Sequence, residues 1–219
     1  MLNNIGEILS NLVSFKPVSV VNTGSSASNE GGKESDRDIM VIFKDNDYVE
    51  RSKLKDLCFN KVRIYPFRIS EIRKMISPTP FPRKFYFWWI SRNSKVLYGE
   101  NVLRDLRIKI TKKDLKEVIF FERGVALSAM HSFRNGDEKT ARISFSKSCL
   151  FGTVAGIWLL NNKFISKYDD AVREGKKIFP KNYKLIKKAN DLRKGNRKLT
   201  EQDVFNNIKY LHNISIKTK

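Results

Sequence analysis

Two carboxylates one residue apart, Asp36 and Asp38, open a run of apolar residues, Ile39-Met40-Val41-Ile42-Phe43. In an extended chain the side chains of residues i and i+2 share a face, so both carboxylates project together while Arg37 points the other way. Like charges this close repel, and each raises the other's pKa unless a cation lies between them. Hard divalent ions such as Mg2+ or Mn2+ take carboxylate oxygens and keep room for phosphates. Upstream, Val20-Val21-Asn22-Thr23 reads as a strand that ends in Gly24-Ser25. A glycine lets the backbone approach a phosphate closely, and Ser25 adds a hydroxyl and an N–H as donors. The stretch suits a metal–triphosphate complex, with Asp36 and Asp38 as metal ligands and catalytic groups and Gly24 and Ser25 on the nucleotide. The plain alternative is a β-hairpin with a solvated polar loop. Gly32-Lys33 resembles the end of a P-loop, but Ala27 and Glu34 stand where that motif needs Gly and Ser/Thr.

The elements that must position these residues follow from periodicity and punctuation. Leu2, Ile5, Leu9, Leu12 and Val13 recur at helical spacing ahead of Pro17, which ends that helix. Strands are expected over Val18–Asn22, over the Asp-x-Asp run and over Lys61–Phe67, with a short helix over Tyr48–Leu57. Ser70 reads as the cap of a helix stopped by Ser77-Pro78-Thr79-Pro80. Residues 81–89 carry six aromatics, bracketed by Arg83, Lys84 and Arg92. Such a run could stack bases, but core or an oligomer interface is the better reading because it buries large area. Lys95–Tyr98 closes the first region as a strand. Thr111-x-x-Asp114 and Thr200-x-x-Asp203 are capping patterns that open helices. Between them, residues 139–160 form a helix carrying Ser144, Ser148, Gly152, Ala155 and Gly156, small residues that allow close approach and mark a buried central helix.

Composition narrows the class. The chain has 219 residues, with 43 Lys+Arg against 23 Asp+Glu, a formal charge of +20. Residues 1–109 carry +7 and residues 110–219 carry +13, and from Arg173 to Lys198 eleven basic residues face two acidic ones. Such density argues for a polyanionic partner, RNA first, with Lys184, Lys187 and Lys188 as candidate contacts. A lysine-rich solvated surface is the alternative. The longest apolar run, about Cys149–Leu160, is short for a bilayer, so no membrane partner is expected. Two cysteines, Cys58 and Cys149, form no framework, and no signal peptide is evident, which points to a reduced, cytoplasmic setting. His131 fits no Arg-x4–6-His ribonuclease pattern, since Arg123 lies eight residues upstream.

The pattern of Thr23-Gly24-Ser25, a loop of about ten residues and Asp36-Arg37-Asp38 within hydrophobic residues resembles the nucleotidyltransferase superfamily typified by DNA polymerase β. The resemblance covers roughly residues 15–105. It implies an α+β fold, with a polymerase-β-type domain built on a mixed sheet over residues 1–108 and a basic α-helical bundle domain over 109–219. It implies Mg2+ (or Mn2+), an NTP and transfer of a nucleoside monophosphate to an acceptor hydroxyl, with a tRNA-like RNA as the expected acceptor. The family also has a third carboxylate on the next strand. Here that strand reads Val62-Arg63-Ile64-Tyr65, which sets Arg63 where the acid belongs and makes it a candidate nucleotide-binding cation. In two-domain members of the kanamycin-nucleotidyltransferase type, a helical-domain glutamate reaching across a homodimer supplies the base. Glu117 and Glu122 lie in a comparable region but sit in no specific motif, and both read as surface residues. Two alternatives stay open: a non-catalytic nucleotide- or nucleic-acid-binding protein on a decayed transferase fold, and a toxin–antitoxin-type transferase acting on a protein.

Overall fold

The computed structural model describes residues 5–24, 27, 36–58, 61–77, 79–195 and 198–216. The chain forms two compact units, Met1–Lys109 and Ile110–Lys219.

The first unit is built on a four-stranded mixed sheet. Its strands are β1 (Ser19–Thr23), β2 (Arg37–Phe43), β3 (Val62–Arg68) and β4 (Lys95–Gly99), in the order β3-β2-β1-β4. β1 pairs antiparallel with β2 and β4, while β2 and β3 run parallel. Pro66 has no N–H to donate, which an edge strand such as β3 tolerates. β2 is buried from Ile39 through Phe43, and its alternation divides the core between the two faces of the sheet. Ile39, Val41 and Phe43 pack with Val20, Ile64 and Leu54, and with Ile8 and Leu12 of α1 (Ile5–Val13). Met40 and Ile42 pack with Val21 and Phe67, with Ile72 of α2 (Ile69–Arg73), and with Phe87 and Ile90 of α3 (Arg83–Asn93). Full burial of each such side chain is worth roughly 1.5–3 kcal/mol. The aromatic run is therefore core: Phe85, Phe87 and Trp88 are buried, and Arg92 stacks on the Trp88 ring.

The short helix expected over Tyr48–Leu57 forms as a 3-10 helix over Arg51–Leu57. One local expectation changes. The α2 cap is Arg68, not Ser70: the Arg68 N–H donates to the Glu71 carboxylate, and the Ser70 N–H donates to Asp45. A long carboxylate three residues ahead outcompetes the short hydroxyl for the first turn.

The second unit is helical: α4 (Lys112–Arg134), α5 (Glu138–Asn161), α6 (Tyr168–Ile178), α7 (Tyr183–Arg193) and α8 (Glu201–Ile216). Thr111 caps α4 reciprocally with Asp114. α5 is long and apolar enough to cross a membrane by length and composition, but 67% of that window is buried inside the protein. It packs against α4, α6, α7 and α8, as a core helix does. Its small residues admit α8: a Cβ on Gly152 would lie 2.1 Å from a Leu211 methyl, and Asn207 donates to the Ser148 hydroxyl. Thr153 Oγ1 and the Tyr210 hydroxyl share a buried hydrogen bond of 3.0 Å beside them.

Candidate active site

The carboxylates sit where β1 ends and β2 and β3 begin. The antiparallel register sets Thr23 opposite Asp38, and the Thr23 hydroxyl donates to the Asp38 carbonyl oxygen at 3.2 Å. Gly24 follows at φ +71°, a left-handed conformation that strains any other residue. A Cβ built there would lie 2.9 Å from Asp38 Oδ2, so the glycine also leaves room at that oxygen. Asp36 immediately precedes β2, and both aspartates are half-buried while Arg37 is exposed. Ser25, the other expected phosphate contact, lies outside the described residues.

Arg63 completes the cluster. The parallel register places it opposite Asp38, and its Nη2 lies 2.6 Å from Asp36 Oδ2. Strand parity sends Asp38, Arg63 and Tyr65 to the face covered by α3. Burial alone would lower the Arg63 pKa, but a hydrogen bond with Tyr65 and the charges of Asp36 and Asp38 outweigh it and raise the pKa. From α3 comes Tyr86, whose hydroxyl is pushed well above the usual phenol range by burial and then by the negative charge of Asp38. It stays a neutral O–H within the field of Asp38.

Tyr65 and Tyr86 are the residues the sequence reading missed. Tyr65 could have been found, since it stands two positions from Arg63 and so on the same face. Tyr86 sits in a run of similar aromatics, and no spacing rule separates it from its core neighbours.

The donor set fits a divalent ion of a particular kind. Two carboxylates with hard oxygens suit Mg2+ or Mn2+, and the missing Cβ at Gly24 leaves Asp38 Oδ2 accessible. Among the described residues no three His, Cys, Asp or Glu side chains gather as a metal cage. The pair therefore suits an ion that shares its coordination with phosphate oxygens, rather than one enclosed by protein.

The basic candidates lie in the second unit on α7. Lys184 and Lys187 are exposed, but Lys188 is half-buried and paired with Asp203 of α8. The charge of Lys188 is thus already compensated within the second unit, unlike those of Lys184 and Lys187. Of the two glutamates on α4, Glu117 is exposed as expected, whereas Glu122 is only 2% exposed. Burial pushes the Glu122 carboxyl up to about 8, with the charge of Lys147 pulling it partly back. Helical spacing sets Glu122 in line with Leu115, Ile119 and Ala126, all buried on α4, but its residue type favoured the surface reading, because a lone glutamate on a helix is usually solvated.

Comparison with known proteins gives two findings. The family model described as a nucleotidyltransferase domain matches residues 2–127. Among solved structures, the chain is similar to a spectinomycin adenyltransferase from Enterococcus faecialis, solved with ATP and spectinomycin. The TM-score is 0.66 at 15% identity, over 98% of each chain, a likeness of fold. Comparison with curated proteins gives no match.

Proposed function

The chain belongs to the nucleotidyltransferase domain family, and from that premise we propose that it transfers a nucleoside monophosphate from an NTP, ATP first, to an acceptor hydroxyl on RNA. The observation that carries this reading is the packing of Gly24 against the Asp38 carboxylate, with Asp36 beside it. A backbone turn that only glycine fits, set against paired carboxylates, is a place for phosphate oxygens and a shared cation. Asp36 and Asp38 would hold Mg2+ or Mn2+, which stabilises charge on the reacting phosphoryl group. The acceptor hydroxyl oxygen bonds to the α-phosphorus as the bond to pyrophosphate breaks, and its proton passes to solvent, because β3 carries Arg63 where a carboxylate base would stand. Arg63 supplies a guanidinium for the phosphates, and preorganised cations of this kind stabilise the developing charge. The charge of +13 over residues 110–219, with Lys184 and Lys187 exposed, supports a polyanionic acceptor.

A second reading draws on the same site. The Arg63–Asp36 ion pair, on a strand with no acid, favours a nucleotide-binding protein with little turnover. Without a general base, transfer loses a factor of about 10²–10⁴. Incubation with each labelled NTP, Mg2+ or Mn2+, and either RNA or an aminocyclitol acceptor separates the readings. Labelled RNA, abolished in Asp38→Ala, is the expected result. Labelled aminocyclitol alone moves the acceptor to the small-molecule class. Nucleotide binding with no labelled product selects the binding protein.

A further inference from the structure

Resting on the nucleotidyltransferase reading, we propose that Arg63 is the second cation of the site: it guards Asp36 until nucleotide arrives, then moves to the phosphates, so that the site takes one divalent ion per nucleotide. Three observations carry this. The guanidinium reaches Asp36 Oδ2 at 2.6 Å from a residue in register with Asp38, so one side chain lies in the field of both carboxylates. Tyr65, two residues along the same face, hydrogen-bonds the guanidinium and helps to hold it at the carboxylates. Among the described residues no third acid joins the pair.

The physical argument is one of exchange. A guanidinium is planar, always charged, and matches carboxylate and phosphate equally well with two parallel N–H donors. Leaving Asp36 for a polyphosphate therefore keeps its charge compensated throughout. The Arg63 side chain is 57% exposed and that of the half-buried Asp36 35%, so solvent reaches the pair, and an ion pair in that setting is weak enough to be given up. The freed Asp36 then serves, with Asp38, the one ion that the phosphates bring. A second divalent ion would find no third carboxylate among the described residues, and would sit against a guanidinium of like charge.

The test counts ions and affinities on the full chain. Wild type, Arg63→Gln, Arg63→Lys and Arg63→Asp are titrated with Mn2+ alone, and with Mn2+ plus a non-hydrolysable α,β-methylene analogue of ATP. Free Mn2+ is read by electron paramagnetic resonance and nucleotide by calorimetry. Wild type should take one Mn2+ per bound nucleotide. Arg63→Gln should bind Mn2+ alone more tightly and the nucleotide more weakly, each by about tenfold, the size of a charge-assisted hydrogen bond. Arg63→Lys should keep the competition with Mn2+ but lose part of the nucleotide affinity. Arg63→Asp should admit a second Mn2+. Two ions in wild type, or Arg63→Gln affinities within about twofold of wild type, overturn the proposal. Failure of wild type to bind any nucleotide overturns the transferase reading and the phosphate half with it. The Mn2+-alone titration needs no nucleotide and decides separately whether Arg63 guards Asp36.

Discussion

At the scale of single residues, the site depends on an atom that is missing. Gly24 carries a left-handed φ, and its absent Cβ would crowd Asp38 Oδ2. Gly24→Ala should cost about 1–2 kcal/mol for the left-handed backbone and also push the Asp38 carboxylate aside. Melting temperature and nucleotide affinity should fall together, and an unchanged affinity would remove this turn from the phosphate site. Glu122 is the other residue with a sharp expectation. Its carboxyl is buried and pushed up to about 8, well above its unfolded value. The folded state thus holds a proton that the unfolded chain releases. The stability from this group is fully present below about pH 4.5 and is lost as pH rises toward 8. Glu122→Gln should flatten that decline and melt higher than wild type at pH 8. Equal slopes in thermal melts across this range would show that the carboxyl is solvated.

At the scale of elements, the capping pattern ahead of α4 was read from four residues and formed as written. Thr111 accepts from the Asp114 N–H at 3.3 Å, and the Asp114 carboxylate takes the Thr111 N–H at 2.6 Å. Thr111→Ala should cost about 1 kcal/mol, visible as a shift of the denaturation midpoint with an unchanged slope. A change in slope instead would mean that α4 unfolds separately from its unit. The cap ahead of α2 shows why such patterns compete. Glu71 reached back to Arg68 and started the helix one residue before the expected Ser70 cap. Both residues were visible in the sequence, but the winner depended on Asp45, a residue distant in the chain, taking the Ser70 N–H.

At the scale of the whole molecule, a charge of +20 is the dominant property. If RNA is the acceptor, binding should fall linearly on a log–log salt plot. Six to ten phosphate contacts would lose roughly 10³–10⁵ in affinity between 50 and 200 mM salt. Reversing Lys184 and Lys187 to Glu should weaken binding and flatten the slope with little effect on melting. Lys188→Glu should behave differently, because it sets two carboxylates against each other at Asp203 and so lowers the melting temperature. An RNA affinity indifferent to the first pair would leave the basic surface as a solvated face.

The sequence by itself determined the class of fold and the family. The continuous apolar run of β2, glycine after β1, capping pairs and small residues on α5 are local signals, and each acts through its own backbone geometry. The same rules bring Asp36, Asp38 and Gly24 into one stretch of the chain. Tertiary structure decided what those residues face. Arg63 belongs to a strand 25 residues further on than Asp38, and only the parallel register of β2 and β3 turns an unexpected cation into a partner of Asp36. Tyr86 comes from another element again, and a neutral hydroxyl beside Asp38 has no signature in an aromatic run. The pairing of Lys188 with Asp203 is likewise invisible to periodicity, while Glu122 lies on the apolar side of α4 and only its packed neighbours show that a carboxyl is buried there. Periodicity says which side of an element a residue takes, and only the packed neighbours say whether that side meets water, charge or core.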